Sequence, residues 1–307
     1  MTRAEEFERL RPLLFSIAYR ILGSVDDAED AVQDTWLRYV TAEAEPASAH
    51  AYLSTVVTRI AIDMLRSARV RREAYVGEWF PEPLLEDPYE DPERSAELAD
   101  SISMTALLML ERLSPLERAV FVLRDVFAFE FAEIAATVGR SETACRQLVV
   151  RARRHMNEGR PRFEADRRER AELAERFFEA LIKGDVAALR EVLAADVQAV
   201  GDGGGKAPVF ERPIVGVDKV ARVFGSMVPA LFSIGGTMET RQVNGQPGAI
   251  FRDQDGKVIN TLSLDIYGGR VQTIRAVVNP DKLRHMGPVG DAWRIARDTQ
   301  RALRATD

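Results

Sequence analysis

The feature that most constrains this chain is a pair of short amphipathic helix patterns joined at a glycine. Phe131, Ile134, Ala135 and Val138 recur at the spacing of one helix face, and Gly139 ends that pattern. A second, longer pattern begins two residues later, and its apolar stripe consists of Cys145, Leu148, Val149, Ala152 and Met156. Two helices of these lengths joined through a tight turn are typical of a helix-turn-helix unit, whose second helix enters a DNA groove.

The outward face of the second helix carries side chains suited to nucleic acid. The residues predicted to contact DNA from this face are Ser141, Thr143, Arg146, Gln147, Arg151 and Arg154. Arginine can bind guanine edges or phosphate with two hydrogen bonds, glutamine can read adenine, and hydroxyls can contact phosphate. Residues 141–162 hold six arginines against two acids, although the whole chain has a net charge of −6. The alternative interpretation is a helical hairpin with a solvated charged face.

The first seventy residues are also predicted to be helical. Gly23 ends the first helix, and Ser24 caps a second helix whose first turn is acidic, as the helix dipole favours. A third helix is predicted from about Ala49 to Ala68. Around its end lies a second basic cluster, formed by Arg59, Arg66, Arg69, Arg71 and Arg72. Such a cluster alone is more often a solvated helix end than a DNA site, but here it is one of two in separate helical units.

Residues 76–100 interrupt the helical pattern. Prolines at positions 81, 83, 88 and 92 preclude a continuous helix, so this stretch is predicted to be a linker, with helices resuming near Ser95. The remaining chain after about residue 170 differs in character from both helical blocks.

The C-terminal part is predicted to be an α+β domain. Two short helices (173–183 and 186–194) and a third (217–232) precede strand patterns at 248–252, 258–267 and 270–278. The alternation of Leu262, Leu264 and Ile266 predicts one buried and one free face for its strand, with Asp265 on the free face.

Composition narrows the classes of protein further. A length of 307 residues predicts two or three domains. Cys145 is the single cysteine and the three histidines are far apart, so we expect no disulfide, no metal site and no cofactor. The sequence contains no apolar stretch long enough to cross a bilayer, so no membrane association is expected, and a cytoplasmic location is predicted.

With these motifs in place, the chain resembles the extracytoplasmic-function sigma factors of bacteria, which keep only sigma regions two and four. Residues 22–37 are similar to the region-two helix that docks on RNA polymerase, which implies that Asp26, Asp27, Asp30, Gln33 and Asp34 bind polymerase. Residues 51–66 resemble the part that melts and reads the minus-ten element. Residues 129–156 resemble the reader of the minus-thirty-five element. The chain has Thr58-Arg59 where many members have Arg-Asn.

Three further motifs resemble the subgroup with a SnoaL-like C-terminal domain. They lie at 79–84, 202–206 and 279–283, and Phe80 stands where leucine is usual. The resemblance implies two all-α sigma domains followed by a cone-shaped α+β domain. We expect the motifs to form a regulatory interface on which the linker docks, with Trp79 as an apolar anchor. Its residues would be Trp79, Phe80, Pro81, Pro83, Leu84, Asp202, Gly203, Gly204, Gly205, Lys206, Asn279, Pro280, Asp281, Lys282 and Leu283.

The sequence thus predicts a sigma factor with core RNA polymerase and promoter DNA as partners and no need of a separate anti-sigma factor. Its segments would be region two (1–75), linker (76–100), region four (101–160), SnoaL-like domain (170–285) and tail (286–307). One alternative is a one-component regulator that binds an operator and senses an unknown small molecule in the C-terminal domain. Another is an enzyme, for which Asp202 and Asp265 are the candidate bases, but no paired acid and base is apparent and no enzymatic activity is predicted.

Overall fold

The chain folds into two compact units. A computed structural model describes residues 2–89, 91, 98, 100–157 and 167–306. One unit comprises Met1–Ala74 with Glu86–Arg160, and the other comprises Tyr75–Leu85 with Pro161–Asp307. The predicted helix start near Ser95, and Arg160 and Arg162 of the basic segment, lie outside the described residues.

The first unit begins with three helices, α1 (Arg3–Leu22), α2 (Val25–Val40) and α3 (Ala49–Glu73). The predicted caps between the first two are confirmed. Gly23 adopts a left-handed φ of 70°, and the Ser24 hydroxyl accepts a hydrogen bond from the Asp27 N–H at 3.1 Å. The third helix continues five residues past its predicted end, which brings its last arginines onto helical backbone.

Further along this unit, the described residues include the helices α4 (Met104–Leu110), α5 (Pro115–Phe121), α6 (Phe131–Val138) and α7 (Glu142–Asn157). A π-helical turn, Val122–Val126, follows α5. Gly139 ends α6 with a φ of 64°, and the Ser141 hydroxyl caps α7 by accepting from the Ala144 N–H. The predicted apolar stripe of α7 is buried along its whole length. The helix-turn-helix prediction is therefore confirmed at the level of fold.

The second unit contains a six-stranded mixed sheet with helices packed against it. Its helices are α8 (Arg167–Lys183), α9 (Val186–Val192), α10 (Val217–Ser233) and α11 (Ala292–Thr306), with a 3₁₀ helix at Pro280–Met286. Its strands are β1 (Leu193–Asp202), β2 (Ile214–Val215), β3 (Thr237–Val243), β4 (Gln246–Arg252), β5 (Val258–Tyr267) and β6 (Arg270–Val277). The order is β2-β1-β6-β5-β4-β3, with β1 and β6 parallel and the other pairs antiparallel. No helix in the described ranges is both long and apolar enough to cross a bilayer.

The structure corrects the predicted environment of Asp265. Both faces of β5 are buried, and Asp265 is 4% exposed and ion-paired with Arg275 on β6. The face predicted to be free is covered, since Thr261, Ser263 and Asp265 are all buried. Asp265 is therefore a paired structural carboxylate.

Candidate DNA interface and linker-binding site

The arginine-bearing face of α7 is exposed. The side chains of Thr143, Gln147 and Arg154 are exposed on it, and so is that of Ser141 at its start. Arg146 lies 2.9 Å from the Glu142 carboxylate, and its guanidinium is 4.7 Å from the ring centre of Phe131. Arg151 lies 3.4 Å from Glu117. The face therefore combines exposed polar side chains with an arginine, Arg146, that is oriented by Glu142 and Phe131.

The basic cluster of α3 contacts the helix-turn-helix directly. The Arg59 guanidinium donates to the carbonyls of Thr137 at 2.7 Å and Ala136 at 2.9 Å. These carbonyls belong to the last turn of α6, where the helix dipole is negative and favours a cation. The hydroxyls of Thr55 and Thr137 lie 2.9 Å apart. A residue predicted to contact DNA is thus occupied by a contact between the two helical domains.

Two further arginines of α3 reach the turn after α4. Arg69 donates to the carbonyls of Glu111, at 2.9 Å, and Leu113. The Glu111 carboxylate pairs with both Arg72 and the fully buried Arg118. Burial opposes ionisation of Glu111, but Arg118 and Arg72 together hold the pKa of its carboxyl below the ordinary value. Glu111 therefore joins α3 to α5 as a charged clamp.

The other members of that cluster are placed differently. Arg66 is exposed and lies 2.8 Å from Asp63 on the same helix. Arg71 lies on helical backbone, and its side chain is outside the described residues. Arg59 and Arg66 are the exposed members of the four described arginines; Arg66 pairs within its own helix, whereas Arg59 reaches α6.

The acidic helix α2 presents most of its predicted polymerase-binding residues at the surface. Asp26, Asp30, Gln33 and Asp34 are exposed, whereas Asp27 is half-buried near the N-terminal end of the helix. Their spacing spreads them over about two turns of α2. This surface is negatively charged, and its half-buried member Asp27 lies close enough to Arg72 of α3 to interact with it electrostatically.

A linker segment, Tyr75–Leu85, packs on the C-terminal domain around Asp202. This carboxylate is fully buried, and it accepts hydrogen bonds from the Tyr75 hydroxyl and, at 2.8 Å, from the Phe80 N–H. Burial and the neighbouring carboxylate raise the pKa of the Tyr75 phenol, which keeps it a donor. Asp202 therefore holds two separate points of the linker segment through charge-assisted hydrogen bonds.

Lys282 supplies the opposing charge. Its ammonium lies 2.6 Å from the Asp202 carboxylate and donates to the Phe80 carbonyl. The ring centres of Tyr75 and Trp79 lie 4.8 Å and 4.4 Å from this nitrogen, within the range of cation–π attraction. Lysine is almost never fully buried unless it is paired, and this one is enclosed by a carboxylate, a carbonyl and two linker rings.

The far end of the linker segment is held by backbone-like hydrogen bonds. The Asn244 N–H donates to the Leu84 carbonyl at 2.7 Å, and the Leu84 N–H donates to the Asn244 side-chain oxygen at 3.1 Å. A ring nitrogen of His285 lies 2.7 Å from the Pro83 carbonyl. The segment is thus fixed at both ends and at its centre.

Comparison with known proteins defines the family. The Sigma-70 region 2 family matches residues 7–71 and the Sigma-70 region 4 family matches residues 103–156. The chain is 38% identical over 290 residues to the ECF RNA polymerase sigma factor SigJ of Mycobacterium tuberculosis, covering 90% of this chain and 92% of that protein. The chain belongs to the extracytoplasmic-function sigma factors.

Further relatives of this sigma factor agree. It is 32% identical over 277 residues to the probable ECF RNA polymerase sigma factor SigI of Mycobacterium tuberculosis, covering 89% of this chain and 92% of the relative. The crystal structure of Mycobacterium tuberculosis SigJ matches with a TM-score of 0.70 and 34% identity, covering 92% of this chain and 98% of that one. The expected fold class, including the SnoaL-like C-terminal domain, is confirmed.

The family settles the broad function. The protein is a transcription initiation factor that binds core RNA polymerase and promoter DNA, and it is not an enzyme. None of the comparisons supports the one-component alternative. Within the described ranges, no three carboxylate, imidazole or thiol groups come together as a metal site.

The three predicted motifs of the sigma factor meet in one place. Most of their members are buried or half-buried: Trp79, Phe80, Pro81, Pro83, Leu84, Asp202, Gly203, Gly204, Asn279, Pro280, Asp281, Lys282 and Leu283. Gly205 and Lys206 are exposed, and Lys206 is ion-paired with Asp281. A Cβ on Gly204 would overlap the Asn279 amide and lie 2.7 Å from the Tyr75 hydroxyl oxygen. With φ at 57°, this position requires glycine for both conformation and close approach.

Sequence reasoning missed three residues of this site: Tyr75, Asn244 and His285. A signal existed for Asn244, because Asn244-Gly245 is a hairpin-turn pair and Asn244 has a left-handed φ of 52°. Tyr75 falls one residue before the predicted linker, at the position assigned to the end of region two. For His285 no local pattern indicated a contact with the linker segment.

Proposed function

We propose that the C-terminal domain regulates this sigma factor by holding the linker between regions two and four. The observation that carries the proposal is the hydrogen bonding of Asp202 to both Tyr75 and Phe80, with Lys282 closing the cluster. A carboxylate buried this deeply is stable only with its partners in place, so docking of the linker segment and burial of the pair are one event.

Docking shortens the distance that the linker can span between regions two and four. Eleven extended residues span at most about 36–40 Å, so fixing Tyr75–Leu85 on one domain withdraws that length from the chain joining regions two and four. Regions two and four must separate to bind two promoter elements at once. The docked form is therefore the restrained form, and release raises the fraction of molecules competent for initiation.

The contacts of α3 support the same direction of control. Arg59, Arg69 and Arg72 each bind carbonyls or a carboxylate of the chain itself, so promoter contacts by these residues require that the two helical domains part. In the open form, the α3 arginines would meet the minus-ten region and the exposed face of α7 the minus-thirty-five element. The acids of α2 would meet polymerase.

In this proposal, the element that inhibits the sigma factor is part of the same chain. The linker-binding site provides the restraint that a separate anti-sigma protein would otherwise supply, so none is required. The protein would work in the cytoplasm, where core polymerase and promoters are found.

The test is run-off transcription with purified core polymerase and full-length protein. Trp79→Ala removes an aromatic wall of the Lys282 cluster and should raise transcript yield several-fold, with an unchanged circular dichroism spectrum. Glu78→Gln, at an exposed position of the same segment, is the matched control and should behave as the parent. Equal yields from Trp79→Ala and the parent protein would exclude linker restraint.

A further inference from the structure

The C-terminal domain has a partly open cavity of about 510 Å³ between its sheet, α10 and α11. The wall is mainly apolar and includes Ala199, Val228, Leu231, Phe251 and Leu262. Sites for small organic molecules typically measure about 300–1,000 Å³ and have mostly apolar walls with few polar groups. The cavity therefore has the size and the chemistry of a ligand site.

The amide of Asn260 distinguishes this wall from an ordinary apolar core. Asn260 lines the cavity, and its side-chain oxygen is buried with no hydrogen-bond partner among the described residues. An unpaired buried acceptor costs about 1–3 kcal/mol, and the terminal torsion of asparagine rotates readily, so the amide can turn either end to a bound molecule. A ligand with one hydrogen-bonding group would satisfy it.

A β-bulge in β5 turns the Asn260 side chain toward the cavity. The register of β4 and β5 shifts between Phe251 and Arg252, so that Ile259 is an extra residue beside Asn260. Both Ile259 and Asn260 consequently line the cavity, although neighbours on a regular strand point to opposite faces. Bulges of this kind commonly redirect side chains at functional sites.

The lining favours binding over catalysis and a neutral ligand over a charged one. Among the described lining residues there is no Asp, Glu, His, Lys, Cys or Tyr, so no general base faces the cavity. The one ionisable side chain, that of Arg297 on α11, is exposed. A charged group would lose its hydration inside without a buried partner.

The cavity and the linker-binding site share a loop. Gly201 and Pro208, at the two ends of the glycine-rich loop, line the cavity, whereas Gly204 and Gly205 within it touch the linker segment. The helix α11 contributes a wall of the cavity, and its Trp293 indole donates to the Lys206 carbonyl of that loop at 3.0 Å. A molecule in the cavity therefore touches both ends of the loop that holds the linker.

We propose that this cavity binds a neutral, mostly apolar small molecule with one hydrogen-bonding group that pairs with Asn260. Resting on the proposed function, its occupancy biases docking of the linker segment through the shared loop. This assigns α11, in the tail of the chain, a role as the cover of a ligand site.

The first experiment titrates the full-length protein with N-phenyl-1-naphthylamine, a neutral fluorophore with one N–H, and with its N-methyl analogue, which lacks the donor. Saturable fluorescence enhancement at one site is expected for the parent protein. Asn260→Leu should weaken binding of the N–H compound about five-fold, the loss of one net hydrogen bond, and change that of the analogue less than two-fold. No saturable enhancement, or equal effects on both compounds, overturns the assigned ligand class.

Cavity-filling variants locate the site. Ala276→Phe and Ala296→Phe, from β6 and α11, both fill the cavity and should reduce binding at least ten-fold. Ala296 is half-buried, so the second variant keeps the test valid if the first fails to fold. Ala195→Phe, at an exposed position of β1, is the matched control. Undiminished binding in a folded filling variant places the fluorophore elsewhere and overturns the proposal.

The coupling between ligand binding in the cavity and docking of the linker segment is measured separately. Because linkage is reciprocal, release of the linker by Trp79→Ala should shift the dissociation constant of the fluorophore at least three-fold. An unchanged constant rejects the coupling. The transcription assay on the same variant without fluorophore decides the linker restraint independently, so failure of one idea is distinguishable from failure of the other.

Discussion

The ammonium of Lys282 lies 2.6 Å from the carboxylate of Asp202, and the two side chains are only 8% and 0% exposed. The rings of Tyr75 and Trp79 and the Phe80 carbonyl, all from the linker segment, contact the lysine directly and contribute to this burial. A buried pair of this kind contributes little net stability compared with an apolar pair, but removing one partner is costly. The pair is therefore sensitive to whether the linker segment is docked.

Lys282→Met should release the linker segment. The variant leaves the Asp202 carboxylate buried without its cation, at a cost of about 3–5 kcal/mol to the docked form. Hydrogen exchange of the Phe80 amide, which donates to Asp202, should become much faster. Lys257→Met, at an exposed position, should leave that exchange unchanged. Retained protection at Phe80 would show that the pair does not hold the linker.

Tyr75→Phe should weaken docking by about 1–3 kcal/mol, because the variant removes a hydrogen bond to a charged acceptor. Burial and the Asp202 carboxylate raise the pKa of Tyr75, so its contribution is fully present below the ordinary phenol pKa and is lost only as pH rises through the raised value. Absorbance at 295 nm should show Tyr75 among the tyrosines that titrate late as pH rises, together with Tyr39, whose pKa is also raised by burial. The count of late-titrating tyrosines should fall by one in the variant; an identical count contradicts the assignment.

Features decided by local signals were predictable, and features decided by long-range pairing were not. Gly23, Ser24 and Gly139 mark helix ends through their own conformation or capping, and the structure confirms all three. The strands β1, β2 and β3 were missed. The segment of β1 contains several alanines, and its place between β2 and β6 in the sheet, rather than propensity, makes it a strand.

The same division applies to the sites. The resemblance to the family predicted that the linker, the glycine-rich loop and the Asn279–Leu283 segment are neighbours. In the structure the three segments are in contact. The contacts of Arg59 with α6 could not be predicted, because they join residues 77 and 78 positions apart along the chain. Asp265 was misplaced for a similar reason, because its burial depends on pairing with Arg275, which lies on the next strand.

Glu111→Gln should loosen the first unit and change its response to acid. The carboxylate compensates the buried Arg118, so the neutral amide leaves that charge unpaired and should cost about 3 kcal/mol in free energy of unfolding. Because the folded pKa of Glu111 is depressed, its contribution is present above the ordinary glutamate pKa of about 4.3 and is lost as pH falls through the folded value. Urea unfolding at pH 7 and at pH 3 should differ less for the variant than for the parent. An equal pH dependence of the two proteins would falsify the clamp.

Arg146→Ala should weaken promoter binding of the polymerase complex by about 1–3 kcal/mol if the guanidinium reads a base, and less if it meets phosphate. The side chain is oriented by Glu142 and Phe131, which limits the entropy lost on binding. Arg168→Ala, an exposed arginine of α8 that is also paired with a glutamate four residues away, is the matched control. Affinities measured on promoters with single substitutions in the minus-thirty-five element separate the two roles. Unchanged affinity across the whole set removes Arg146 from the interface.

Arg59→Ala should favour separation of regions two and four and at the same time impair promoter melting. In the closed arrangement its guanidinium donates to the carbonyls of Ala136 and Thr137, and loss of these bonds should cost that arrangement about 1.5–3 kcal/mol. Energy transfer between fluorophores on α2 and α7 of the free protein should fall, because the domains part more often. Permanganate reactivity of the minus-ten region in the polymerase complex should fall as well, since the arginine is predicted to contact that element. Arg66 pairs with Asp63 on its own helix, so Arg66→Ala should leave the energy transfer unchanged. This variant therefore tests only the predicted contact of the α3 arginines with DNA. If both variants give the parental energy transfer, the α3 contacts do not hold the closed arrangement, and release of the linker segment must act by reach alone.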